Sequence, residues 1–270
     1  MPGSDDSAAE NASVALVEKR DDLEKRLKRI QQSRRKIAEE VLDLYQKGEI
    51  ESEESSFFSG LAGDYEELGV FAIYDDDIGA AQTAFTEAAT YYQRSSDKDP
   101  IPLHSARQRM QGMYAALLAG EEATLVDLAE SMQRLAAEED CDPSDEWADR
   151  YFLAWCLAGA VLGTVDEAAL MGLEAVNDEK LSPHAAYGQA ILSIARGVCE
   201  EDPAAIESGI ESMLAFHEQD MQQDNVVEQV MSVQATALLI LARAAGYRPA
   251  VSSEFIPIDL VEASADAIEP

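Results

Sequence analysis

The stretch 64–93, DYEELGVFAIYDDDIGAAQTAFTEAATYYQ, decides the fold. It reads as the end of one helix, an acidic turn and the start of another. After the run Asp75, Asp76, Asp77 the residues Ala81, Phe85 and Ala88 recur at helical spacing, and the carboxylates before them suit free N–H groups and the positive end of a helix. Small Gly69, Ala81 and Ala88 let the two helices approach closely, and Phe85 and Tyr65 fill the space beside them. The expected unit is an antiparallel helical hairpin.

Working outward, the same punctuation recurs. Helices are expected over 54–74, 77–95, 102–118, 122–138, 144–162, 165–177, 183–199, 203–219 and 224–245, separated by short polar links such as DKDPIP, LAGEE, CDPSD and EEDP that supply caps and first-turn prolines. Turn centres fall near 76, 120, 164 and 201, which are 44, 44 and 37 residues apart. Links this short place successive helices antiparallel, and such hairpins bury their apolar faces only against neighbours. Tyr65, Leu68, Gly69, Ala81, Phe85 and Ala88 occupy positions 4, 7, 8, 20, 24 and 27 of a tetratricopeptide-like frame. Ala72 stands where that frame expects Tyr and Gln93 where it expects Pro, and later hairpins do not hold it. The fold class is therefore all-α: an irregular, tetratricopeptide-like array of antiparallel helical hairpins with a long N-terminal helix. Only AVSSEFIPI, residues 250–258, alternates like a strand. Tyr65, Leu68, Phe85, Trp147, Trp155, Leu192 and Leu239 are expected in the core.

Three regions follow. Residues 1–12 are small and acidic and are expected to be a disordered tail. Residues 13–48 form a long helix in which Leu16, Leu23, Ile30, Ile37 and Leu44 recur every seven residues, joined by Leu27 and Val41 and interrupted by Arg20 and Arg34. Such a narrow seam suits a helix docked on its own domain or a homodimer through 13–48. Residues 49–270 form the array and a C-terminal capping segment.

Of 270 residues, 53 are acidic and 20 basic, for a net charge of −33. Residues 1–47 are neutral, so the array carries the whole excess, and seven lysines stand beside thirteen arginines. A diffuse carboxylate coat of this kind suits a protein adapted to molar salt; the competing reading is a mimic of nucleic acid. Free nucleic acid and anionic membrane surfaces are repelled by it. With 47% apolar residues the chain can still bury a sizeable core. Three cysteines without close pairing and no signal-type N-terminus point to the cytoplasm.

No motif for chemistry emerges. No two glycines have the GxGxxG spacing, no Gly-Lys pair exists for a phosphate loop, and His104, His184 and His217 lack zinc spacing. Cys141, Cys156 and Cys199 form no CxxC, and apolar neighbours argue against an activated Cys156. The Asp75–Asp77 run lacks the glycine and glutamate of a calcium loop and reads as a turn and cap. No catalytic, cofactor or metal residue is assigned, no cofactor is expected, and the partner-binding residues are not specified.

The segment ALLILARAAGYRPAVSSEFIPIDLVE, residues 237–262, ends a hydrophobic helix in Arg-Ala-Ala-Gly, crosses an extended stretch and closes on Phe-Ile-Pro-x-x-Leu. It resembles the ending of the immunity protein 49 family, all-helical partners of toxins in polymorphic toxin systems. WADRYFLAWCLAGAVLG and SPHAAYGQAILSIARGVCEEDPAAIESGIESMLAFHE look similar in style, and the resemblance spans roughly 55–262. It implies a non-enzymatic protein that neutralises a toxin partner by occlusion. The alternative is a tetratricopeptide-like assembly scaffold in a halophilic cell; an enzyme ranks third. The tail also has a local logic, with Gly246 suited to a left-handed helix end and Pro257 to the start of a last helix that caps the stack.

The charge excess has a direct consequence for stability. Repulsion among the carboxylates is long-ranged and screened by salt, so unfolding midpoints should rise from dilute buffer to several molar KCl, and insensitivity to salt would favour a clustered, mimic-like patch.

Overall fold

The structure, a computed structural model, describes residues 6–49, 54–179, 184–221, 225 and 227–268. Among them run eleven helices and no strand. Helix α1 (Asp6–Gln46) precedes four hairpins: α2 (Glu54–Tyr74) with α3 (Ile78–Lys98), α4 (Pro102–Ala119) with α5 (Glu122–Glu138), α6 (Ala148–Val161) with α7 (Glu167–Glu179), and α8 (His184–Glu200) with α9 (Pro203–Asp220). Helices α10 (Val233–Ala244) and α11 (Ile258–Ala267) complete the chain.

Each hairpin turns through a left-handed residue near its expected centre: Asp76, Gly120, Gly163 and Glu201 all have positive φ. In the first, Asp77 caps α3 by accepting from the Ala80 N–H at 2.9 Å, so the acidic run is a turn and cap. The small-residue logic also holds. A Cβ on Gly69 would lie 2.7 Å from the Phe85 ring, while Phe85, Ala81 and Ala88 are completely buried. The next hairpin repeats the arrangement at the same offset, with Leu128 of α5 pressed on Gly112 of α4.

Helix α1 docks on α2 along part of the expected seam, through Leu27, Ile30 and Val41. Leu27 and Ala38 are buried, whereas Ile37 and Leu44 are 40% and 38% exposed. The reason is Arg34. Expected to interrupt the contact, it anchors it, reaching Asp64 at 2.8 Å and Glu67 at 2.6 Å on α2. The helix begins at Asp6, before the expected residue 13; Ala8, Ala9 and Ala12 are strong helix formers and acidic residues favour a helix start. Residues 1–5 lie outside the described residues, as do the side chains of Leu16, Arg20 and Leu23.

Helix α4 is the hub. It packs against α3, α5, α6, α10 and α11, and most of its residues are buried. Its polar members are matched internally: Arg109 donates to Ser105 and, at 2.8 Å, to Ser131, and Ser105 donates to the Ser96 carbonyl at 2.7 Å. The C-terminal segment was expected to cap the exposed end of the stack. It ends in α11, which packs on α10, α4 and α3. Leu260 and Val261 are fully buried, and the Ser264 hydroxyl donates to the Leu118 carbonyl at 2.7 Å. The left-handed turn at Gly120 makes this approach feasible, since any Cβ there would meet Ala267 at 2.9 Å.

Two helix starts come later than the periodicity suggests. Helix α10 begins at Val233 instead of residue 224 because Ser232 supplies its cap while the Ser232 N–H binds the Phe255 carbonyl at 2.9 Å. Helix α6 begins at Ala148 instead of 144 because turns built on Asp142 and Asp145 occupy the preceding residues. The alternating segment 250–258 pairs with no strand among the described residues. Phe85, Leu192 and Leu239 are buried as expected, Tyr65, Leu68 and Trp155 are half-buried, and Trp147 is 43% exposed.

Truncating Phe85 to Ala empties the seat against Gly69 and should destabilise the fold by about 3 to 5 kcal/mol. Equilibrium urea unfolding of the variant checks this, and a loss below 1 kcal/mol would mean that the hairpin collapses onto the space.

Candidate partner-binding surface

The residues singled out for chemistry are dispersed. His104 is exposed on α4, and His184 opens α8 with its side chain outside the described set. His217 is buried, with Nε2 2.9 Å from the Glu228 carbonyl and its ring against Phe255, so it ties α9 to the turn before α10. Burial pushes the Cys156 thiol up to about 12, away from a reactive thiolate. Cys141 is pushed up to about 11 by burial and then by Asp145 and Asp142. Among the described residues, no group of three His, Cys, Asp or Glu side chains is placed to hold a metal ion.

What the fold does build is a groove. Its wider part, about 590 Å³, is lined by Arg107, Met110 and Gln111 of α4, Asp149, Arg150 and Leu153 of α6, Tyr187 of α8, Phe216 of α9 and Gln234 of α10, with Glu146 and Trp147 at the rim. Phe216 and Gln234 also line a smaller cavity of about 270 Å³ that runs on to Glu66 and Glu67 of α2 and carries Asp220 and Glu228. Residues from six helices thus meet on one surface because α4 and α10 pack together at the centre of the array.

The floor is aromatic and fixed. The Tyr187 hydroxyl lies 2.8 Å from that of buried Tyr114, and its ring meets Phe216 edge-on. At the rim, Trp147 adopts φ 75° and ψ 6° as the residue before α6. For a bulky L-residue this left-handed conformation costs about 1 kcal/mol or more. The indole is held outward, and the Arg150 guanidinium stacks on it 3.9 Å from the ring centroid. The sequence reading missed this residue by treating Trp as core. The usable signal was its place directly after CDPSDE, ahead of the apolar period of α6.

At the other end of the groove, half-buried Glu66 is an unusual acid. Burial pushes its carboxyl up to about 7, against a 3.4 Å hydrogen bond donated by the Tyr92 hydroxyl, and neighbouring Glu67 adds repulsion.

With this geometry in view, the sequence profile described as immunity protein 49 matches residues 67–260, from the middle of α2 to the start of α11. The chain belongs to the immunity protein 49 family. The matched range covers the entire groove except Glu66 and begins after α1. No curated protein and no solved structure matches the chain at a significant level.

Glu66 yields a pH test. A carboxyl with a raised folded value binds more protons in the folded state, so its contribution to stability falls as pH rises from the ordinary glutamate range through about 7. Glu66→Gln should therefore gain roughly 1 to 2 kcal/mol over the wild type at pH 8, after discounting for partial exposure, and little or nothing at pH 4. Urea unfolding at the two values provides the measurement; equal effects at both would show that the carboxyl is well solvated.

Proposed function

We propose that this member of the immunity protein 49 family neutralises a toxin partner by binding it and occluding its active surface, without chemistry of its own. The family match over residues 67–260 carries the reading. The groove supports it, since recognition by shape requires a fixed concave surface with aromatic anchors and few mobile parts. The acidic coat adds a bias in partner choice: a chain of net charge −33 attracts basic surfaces, such as those with which a nuclease-type toxin would hold phosphate. We place the encounter in the cytoplasm, which suits three free cysteines, and we regard the coat as an adaptation to high salt.

A homodimer through residues 13–48 would rest, among the described side chains, on exposed Ile37 and Leu44. Those two bury far less than the area of a stable interface, so the partner reading centres on the array.

Co-expression is the test. Cells producing the C-terminal toxin domain of the protein encoded beside this gene should recover colony formation when this chain is present, and the two should copurify. A stable multi-protein assembly that gives no protection would support the assembly-scaffold alternative instead.

A further inference from the structure

The array from residue 54 onward has ten basic residues beside forty acidic ones, and most of the described basic ones are already engaged. Lys98 pairs with Glu54, Arg134 with Glu130, Arg196 with Glu174 and Arg243 with Glu262. Arg94 lies over Phe58, Arg109 is bonded to two serines, and Arg248 donates to two backbone carbonyls. Arg107 and Arg150 differ in their carboxylate partners, although Arg150 also stacks on Trp147. Neither makes an ion pair with a carboxylate among the described residues, and both line the same groove.

Their placement runs against the electrostatics of the rest of the molecule. In a shell so rich in carboxylates, this groove is balanced in charge, with Glu146 and Asp149 beside Arg107 and Arg150, and the two guanidinium groups repel each other within it. Burial lowers the proton affinity of Arg150, and repulsion from Arg107 lowers it further, outweighing the favourable influence of Asp149. An occupant with negative charge would relieve that repulsion. The apolar part of the site asks for a second property. Exposed Trp147 is held in a strained backbone conformation at the rim, and the lining adds Tyr187, Phe216 and Met110. Strain retained at an exposed aromatic residue marks a position kept for contact and not for packing. The side-chain amides of Gln111 and Gln234 make no hydrogen bond among the described residues, which leaves donors and acceptors for a peptide backbone.

We propose that the groove between α4, α6, α8, α9 and α10 receives a segment of the partner protein that presents an acidic side chain flanked by apolar ones, with Arg107 and Arg150 receiving the carboxylate and Trp147 serving as the aromatic anchor. This rests on the partner-neutralising reading and adds to it the chemistry of the docked segment. The acidic coat biases the encounter toward a basic surface, and the arginine pair fixes its register by demanding an acid at one place. A guanidinium presents a planar fork that matches a carboxylate, so two of them discriminate strongly against lysine at that position.

Trp147 reports on its own site. In a Trp155→Phe background it is the sole tryptophan, and its emission can be followed while an acetylated, amidated pentapeptide of alternating leucine and glutamate is titrated in. A saturable blue shift is expected. The lysine-for-glutamate peptide should bind at least about tenfold more weakly, as should the acidic peptide to the Arg107→Gln/Arg150→Gln variant. The proposal is overturned by equal binding of the two peptides, by indifference to the double substitution, or by no shift at all. Saturable binding of adenosine monophosphate with the same arginine dependence would make the groove a nucleotide site. Concentration-dependent self-association abolished by the same substitutions would fill it with a second copy. Either result also overturns the proposal. Circular dichroism of each variant controls for folding. In cells, protection by the wild type together with full protection by Arg107→Glu/Arg150→Glu would remove the groove from recognition and leave the neutralising role intact. Failure of the wild type to protect would remove that role, and the peptide titration would still decide the groove.

Discussion

Helix α4 is enclosed by α3, α5, α6, α10 and α11, and that enclosure organises the remainder of the array. A helix can be covered on all sides only if small residues let its neighbours come close and if every polar group it carries finds a partner. Ala106, Gly112, Ala115, Ala116 and Ala119 meet the first condition, and the pairing of Arg109 with Ser105 and Ser131 meets the second. An open stack of hairpins would leave one face of α4 to solvent. Here α10 and α11 return from the far end of the chain to cover it, which turns a linear order of hairpins into a closed arrangement. The same closure brings Gln234 of α10 alongside Arg107 and Gln111 of α4 and thereby forms the wide part of the groove.

Electrostatics acts at two ranges in this molecule. The net charge of −33 sets a long-range field, while individual pairs decide local geometry. Arg34 illustrates the second. Its bridge to Asp64 and Glu67 selects which face of α1 meets α2, and the apolar residues adjust around it. At molar salt the long-range field shrinks to about 3 Å, so recognition in such a medium must rely on contacts at close range. Aromatic stacking and guanidinium hydrogen bonds in a partly dehydrated groove are contacts of that kind, whereas a diffuse coat is not.

Much of the fold was legible in the residues. The four turns lie where Asp, Gly and Glu interrupt the helical period, and all are left-handed. Gly69 and Phe85 announced their contact because a large residue opposite a glycine at hairpin spacing has few other uses. The misreadings have a common cause. Ile37 and Leu44 share a heptad seam with buried Leu27, yet spacing carries no information about a distant Asp64 that ties the helix down through Arg34. Trp147 was assigned to the core on its size, and the backbone conformation that turns it outward is set by the turns around Asp142 and Asp145.

The sequence by itself determined the helices, their turns, the family and the sign of the surface charge, because these depend on periodicity, caps and composition, all local or additive. Only the tertiary structure decided which face of α1 is buried, that α10 and α11 close over α4, and that Arg107, Trp147, Arg150, Tyr187, Phe216 and Gln234 share one groove. Those residues come from separate helices and are joined by packing alone. Packing depends on the shapes of all the elements at once, and no local pattern along the chain encodes it.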